Sequence, residues 1–407
     1  MRGEANSWMC INSAPMVSVC IPSYNHARFL PAALDSILDQ TFRDFEIVVV
    51  DDGSTDNSLE ILQTYARKYP RVMRVFLHPG GAHLGISATV NLAVEKARGV
   101  YWCTQASDDV SYPERLERQV AFLESHPDVG WIYGVADLIT KDGTPLTYLK
   151  SDPVVGWMYR LADSTIKEGT PLKGQFGCDL SAFPDLAERL IFGNAIAGAT
   201  TMVRRKCLIE VGPHEPDLMY GDWEFWVRLA ARYLPAFLPG AVVKYRIHGD
   251  NISLNVPRPE NLQRDLDVIN ALRRKADAAG GELGRPRIKA LLELRRSAYL
   301  FRLGNDESAR RAVAAVFDMD PGLRDDLKQL ALYLSQLGNR RLALAMIREL
   351  GSPPFWLANK ALRSTLLRVG VYPCLRARVR QVFVWKLLRK LHNRIAQRRS
   401  YYSRANT

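Results

Sequence analysis

Apolar positions in the first third of the chain alternate between two spacings. Val17–Ile21 is a short apolar run closed by Pro22, and Ile47–Val50 is four β-branched residues in a row, the pattern of a strand buried on both faces. Val72–Leu77, Val100–Thr104 and Val129–Tyr133 have the same character. Between these runs the apolar positions fall at helical spacing: Leu30, Leu34, Ile37 and Leu38; then Leu62, Tyr65, Ala66 and Tyr69; then Val90 and Val94 within Gly85–Arg98; then Leu116, Val120 and Leu123. Ser111-Tyr-Pro-Glu114 matches a capping box ahead of the last of these. The rhythm predicts an α/β fold with a mostly parallel central sheet flanked by helices, in which ligands bind beyond the carboxyl ends of the strands.

Residues 141–190 are irregular and rich in Gly and Pro. A second core segment is expected over Asn194–Tyr220, a helix over Asp222–Tyr233 and a strand over Val242–Ile247. From about residue 256 the pattern is purely helical, with stripes around Leu291–Leu303, Ala309–Phe317, Leu327–Leu337 and Leu342–Leu350. Ser352-Pro-Pro354 then makes a natural break. The expected organisation is a catalytic domain over 1–255, an all-α helical-hairpin domain over 256–350 and a basic helical tail over 351–407.

Charge sharpens that division. The chain of 407 residues has a formal net charge of +12, yet 351–407 holds 13 Lys and Arg with no Asp or Glu, so the remainder is close to neutral. The six cysteines are scattered and none forms C-x-x-C, which indicates neither a zinc site nor a disulfide framework. No run approaches the ~20 apolar residues that cross a bilayer, and Met1–Pro15 lacks the apolar segment of a secretory leader. The expected location is the cytoplasm.

Three polar clusters follow predicted strands. Pro22-Ser-Tyr-Asn25 sits where a nucleotide would lie. Asp51-Asp-Gly-Ser-Thr-Asp56 puts two carboxylates where they can accept hydrogen bonds from a base N–H and ribose hydroxyls, with Gly53 permitting a sharp turn. A capped turn alone would account for Thr55 and Asp56 but not for two acids ahead of Gly53. Ser107-Asp108-Asp109 adds further negative charge, which calls for a cation. Mg²⁺ bridging a diphosphate suits a carboxylate site without a His/Cys cluster better than zinc does.

These motifs, in order and each after its own strand, resemble family 2 of the glycosyltransferases, which have the GT-A fold. The resemblance covers roughly the first 255 residues. It implies that Pro22, Tyr24, Asn25, Asp51 and Asp52 bind the nucleoside part of a nucleotide-sugar donor, that Asp108 lies near the ribose, and that Asp109 holds Mg²⁺ or Mn²⁺ on the diphosphate. Tyr220-Gly-Asp-Trp-Glu-Phe-Trp226 looks like the family's catalytic segment and makes Asp222 the base, with Trp223 at the sugar. Tyr245-Arg-Ile-His-Gly-Asp-Asn251 matches a further pattern, implying a role for His248 at the diphosphate or metal. There are departures: His83-Leu-Gly85 stands where the family often has N-x-G, Gly221 replaces an acid before the base, and Ala106 replaces the first acid of D-x-D.

The implied activity is inverting, metal-dependent transfer of a sugar, UDP-linked by family precedent, to a hydroxyl of a glycan or lipid-linked acceptor in cell-surface polysaccharide synthesis. A non-catalytic nucleotide-sugar-binding or scaffold protein of the same fold is the alternative. The turn after the first strand lacks G-x-G-x-x-G, which disfavours a dinucleotide-dependent oxidoreductase. In the tail, Trp385, Leu387, Leu388 and Leu391 interleave with Lys386, Arg389, Lys390 and Arg394, the composition of a segment that lies on an anionic membrane. Peripheral contact through 380–400 at the inner face of the plasma membrane is therefore expected, and with no recognised nucleic-acid module, nucleic acid is not expected as a partner.

Overall fold

A computed structural model of the chain describes residues 14–149, 171–173, 175–177, 179–181, 183–218, 221–249, 251, 259–278, 281–324, 342 and 345–346. The chain divides into two compact units, Met1–Ile288 and Lys289–Thr407.

The first unit is built on strands β1 (Val17–Ser23), β2 (Phe45–Asp51), β3 (Met73–Leu77) and β4 (Tyr101–Thr104), interleaved with helices α1 (Leu30–Leu38), α2 (Ser58–Lys68) and α3 (Ile86–Lys96). β1 and β2 are buried at every position, the apolar runs Val19–Ile21 and Ile47–Val50 together with the polar Ser18, Ser23, Glu46 and Asp51. After β4 come β5 (Val110–Ser111), α4 (Arg115–Ser125), β6 (Trp131–Tyr133), β7 (Ala136–Thr140), β8 (Thr147–Leu149), β9 (Pro171–Lys173) and β10 (Gln175–Phe176). Then follow α5 (Leu186–Ile191), β11 (Met202–Arg204), α6 (Arg205–Val211), α7 (Gly221–Arg232), β12 (Pro235–Phe237), β13 (Val243–Ile247) and α8 (Pro259–Ala278).

The main sheet has the order β12-β6-β11-β4-β1-β2-β3. Only β11 runs against its neighbours, pairing antiparallel with β4 and β6. A second sheet, β10-β7-β13-β5, stands beside it. The mostly parallel α/β sheet flanked by helices agrees with the expected GT-A architecture. The main core joins both helical stripes and strand interiors, including Val19, Ile21, Leu34, Ile47, Val49, Leu62, Tyr101, Leu116 and Ile132.

Two local expectations are revised. Ser111 does not cap α4: it belongs to β5, and its hydroxyl donates to Gln105 Oε1 at 2.7 Å. The helix starts four residues later, with no side-chain cap from Glu114. At α2, the N-cap position falls to Asn57, but Asp56 Oδ1 does accept from the Ser58 N–H at 2.9 Å.

A hub at the amino ends of the strands was not legible in advance. Glu46, almost fully buried, accepts from Ser18 Oγ, the Arg98 N–H and guanidinium, and Arg74. Burial opposes its charge, but these donors outweigh burial and hold its carboxyl below the ordinary value.

In the second unit, the described residues include most of α9 (Pro286–Arg302) and all of α10 (Asp306–Met319). The stripes Leu291–Leu303 and Ala309–Phe317 fall on these helices, whose buried residues include Leu291, Leu294, Val313, Val316 and Phe317. The stripe over 327–337, most of that over 342–350, and the tail lie outside the described residues. No helix among the described residues is long and apolar enough to cross a membrane.

Candidate active site

The carboxyl ends of β1 and β2 are stitched together by their loops. Asn25 takes a left-handed conformation, φ 51°, and its Oδ1 accepts from the Thr55 N–H at 2.8 Å. In return Asn25 N–H donates to Ser54 Oγ and Ala27 N–H to Asp56 Oδ2, both at 3.0 Å. Asp51, closing β2, accepts from the Ser54 N–H and hydroxyl. Pro22 lies within β1 opposite Val50. Polar side chains thus fix the two loops, leaving Tyr24 at their edge, 40% exposed. Its ring stacks on His83 with centroids 4.2 Å apart.

Asp52 holds the next loop. Its two oxygens accept from the N–H groups of Leu84 (2.8 Å) and Gly85 (3.0 Å), and His83 Nδ1 lies 2.9 Å away. Gly53 has φ +75° and packs so closely that a Cβ would meet Gly81 O at 2.6 Å. Gly85 is the residue before α3. The carboxylate of Asp52 therefore anchors the start of that helix, where negative charge is favoured by the helix dipole.

At the end of β4, Asp108 and Asp109 point to different places. Asp108 faces His26 and His248: the three offer ligand atoms within 4.8 Å of one another. His248 Nε2 is 2.9 Å from Asp108 Oδ2, and His26 Nδ1 is 2.7 Å from Ser107 Oγ. Asn251 fixes the His248 turn by accepting the His248 N–H at 2.6 Å. Phe29 packs on the His248 ring at 4.7 Å.

Asp109 is fully buried. Its Oδ1 accepts from the Arg246 N–H at 2.9 Å, while its buried Oδ2 has no hydrogen-bond partner. Burial, then the charge of Asp108, raises its carboxyl well above the ordinary value. The loop itself is carried by buried Arg115, which donates to Gln105 Oε1 and Thr104 O, and by Gln105, which donates to Asp109 O.

Asp222 lies in the first turn of α7, half-buried. Its Oδ1 accepts from the Trp223 N–H at 2.7 Å and its Oδ2 from Asn194 Nδ2 at 2.9 Å. Burial raises its carboxyl above the ordinary value against those donors. Trp223 is interior, its indole N–H donated to Leu190 O at 2.7 Å. Glu224 is buried in ion pairs with Arg228 and Lys275 and is unavailable as a base.

Helix α3 connects Asp52 to α7. Its start is held by Asp52, Ser87 Oγ donates to Leu218 O, and Asn91 exchanges two 2.8 Å hydrogen bonds with the backbone of His214. Gly221 fits directly against Ser87, where any Cβ would stand 2.3 Å from Oγ. This packing is the physical reason that no acid precedes Asp222. The sequence assigns no site role to His26, His83, Arg115, Asn194, Arg246 or Asn251, although Arg246 and Asn251 fall within the Tyr245–Asn251 motif, His83 opens His83-Leu-Gly85 and His26 adjoins Asn25.

Comparison with known proteins gives a consistent family signal. Residues 18–179 match the model of glycosyl transferase family 2. The chain is similar to the putative glycosyltransferase EpsE of Bacillus subtilis (strain 168), 40% identical over 28% of this chain and 41% of that protein. It is also similar to the putative teichuronic acid biosynthesis glycosyltransferase TuaG of the same organism, 36% identical over 33% of this chain and 52% of that protein. These matches therefore span about half of each relative's length or less. Among solved structures, residues 1–349 of TarS from S. aureus, in complex with UDP-GlcNAc, align over 90% of this chain and 92% of that one, with 18% identity and a TM-score of 0.48.

Proposed function

The chain is a member of glycosyl transferase family 2 through residues 18–179, and on that premise we propose that it is an inverting glycosyltransferase using a nucleotide-diphosphate sugar, UDP-linked, in cell-surface polysaccharide synthesis. The observation that carries this reading is the joining, through α3, of the acid-bearing strand ends to a half-buried aspartate at the start of α7. In this reading the exposed Tyr24 ring, backed by His83, takes the base by stacking, an interaction of about 1–3 kcal/mol. Asp51 accepts from the base or ribose, and Asp52 shapes the loop that closes the pocket.

His26, Asp108 and His248 would hold the divalent cation, with Asp109 ordering the loop from within. Two imidazoles with one carboxylate suit Mn²⁺ better than Mg²⁺, which prefers oxygen ligands. When bound, such an ion neutralises charge on the departing diphosphate. Asp222 receives the proton of the acceptor hydroxyl as the acceptor oxygen bonds to the anomeric carbon. The bond from that carbon to the diphosphate oxygen breaks, and its electron pair leaves with the nucleotide. The acceptor is read as a glycan or lipid-linked hydroxyl, with the basic tail resting on an anionic membrane.

The test is a panel of UDP-, GDP- and dTDP-sugars with Mn²⁺ or Mg²⁺, reading released nucleotide. Turnover is expected with one donor and is lost with chelator or in Asp222→Asn, which keeps nucleotide affinity. Absence of turnover with every donor and metal, alongside intact nucleotide binding, would favour the non-catalytic reading.

A further inference from the structure

Asn194 follows α5 and reaches the site from outside every motif. Its Oδ1 accepts from the Ile196 N–H at 3.1 Å. That bond fixes the rotation of the amide, because a backbone N–H can face only the oxygen. Nδ2 is thereby turned to Asp222 Oδ2 at 2.9 Å. The position of the segment is set in turn by the Trp223 indole bond to Leu190 O, which ties α7 to the end of α5. Each Asp222 oxygen thus receives one N–H, from Asn194 and from Trp223, and keeps a further lone pair for a proton.

We propose that Asn194 is a positioning residue of the transferase site, its amide N–H holding the Asp222 carboxylate in the rotamer that receives the acceptor proton. The inference rests on Asp222 being the base. Among the described residues, charged side chains on the neighbouring elements are engaged elsewhere: Arg189 over the Phe183 ring at 5.3 Å, Glu224 with Arg228, Lys275 with Glu215 and Glu224, Arg232 with Glu210, Arg285 with Asp185, and Arg287 with Glu188. Among the described residues, the groups that hydrogen-bond the Asp222 carboxylate are neutral donors, the Asn194 amide and the Trp223 N–H. Burial works against the charged carboxylate, so removal of the Asn194 donor leaves that burial less opposed.

The experiment uses the full chain and whichever UDP-, GDP- or dTDP-sugar it turns over, with water as acceptor and released nucleotide as readout. Asn194→Asp keeps an oxygen for the Ile196 N–H but cannot donate as a carboxylate, and it sets a second acid against the first. Asn194→Ala removes both bonds. Each variant is expected to lose about tenfold to a hundredfold in kcat, the scale of a misplaced catalytic group. The acid limb of the pH–rate profile should move to higher pH, further for Asn194→Asp, with nucleotide affinity and donor KM within twofold of wild type. If Asp222→Asn is inactive while both Asn194 variants keep wild-type kcat and acid limb, the positioning role is overturned and the base stands. If Asp222→Asn turns over like wild type, the underlying reading fails instead.

Discussion

Gly53 concentrates two demands on one residue: a left-handed φ and a close approach to the Gly81 carbonyl. Gly53→Ala meets both at once and should cost about 1–3 kcal/mol, seen as a lower denaturant midpoint. His214 carries a different liability. It is buried against Phe225 at 4.3 Å, and burial, then Arg228 and Lys275, lower its pKa to about 3. Between that value and the ordinary 6.5 the unfolded chain binds a proton that the folded chain refuses, so stability falls as pH falls through this window. The slope approaches 1.4 kcal/mol per pH unit, or about 2 kcal/mol between pH 6.5 and 5. Urea titrations across that range should show it, and His214→Phe should flatten the dependence.

At the scale of elements, the amino ends of the strands carry the Glu46 hub and the carboxyl ends carry the candidate site. Glu46→Ala would strip one hub of its acceptor and strand Ser18, Arg74 and the Arg98 N–H; a loss of about 3 kcal/mol is expected with nucleotide affinity unchanged. The long elements were legible because their patterns are local. β1, β2 and α1 declare themselves by runs and spacings that survive in any context. β5, β11 and β12 are two or three residues each and owe their existence to partners far along the chain, so no local signal marks them. Ser111 illustrates the failure: the same four letters serve a helix cap or a strand end, and Arg115 and Gln105 decide. Asp108 and Asp109 show the limit within a motif, since adjacent residues point to opposite environments and only the fold says which meets His26 and His248. Asn194 carried no signal at all, being a lone amide in a loop.

For the whole molecule, the uneven charge makes a separate prediction. The 351–407 segment holds the net positive charge, and each Lys or Arg near an anionic bilayer contributes about 1 kcal/mol. The full chain should co-sediment with vesicles containing phosphatidylserine, release as salt rises, and ignore vesicles of phosphatidylcholine alone. Helix α3 has a consequence of another kind. One stiff rod is fastened at its tip to Asp52 and along its flank to the stretch ahead of Asp222. On the proposed function, a nucleotide held against Asp52 and an acceptor at Asp222 would share this one support, so that strain placed on α3 at one half-site would be felt at the other. Linkage makes such an effect mutual: by whatever factor the first ligand improves the grip on the second, the second must improve the grip on the first.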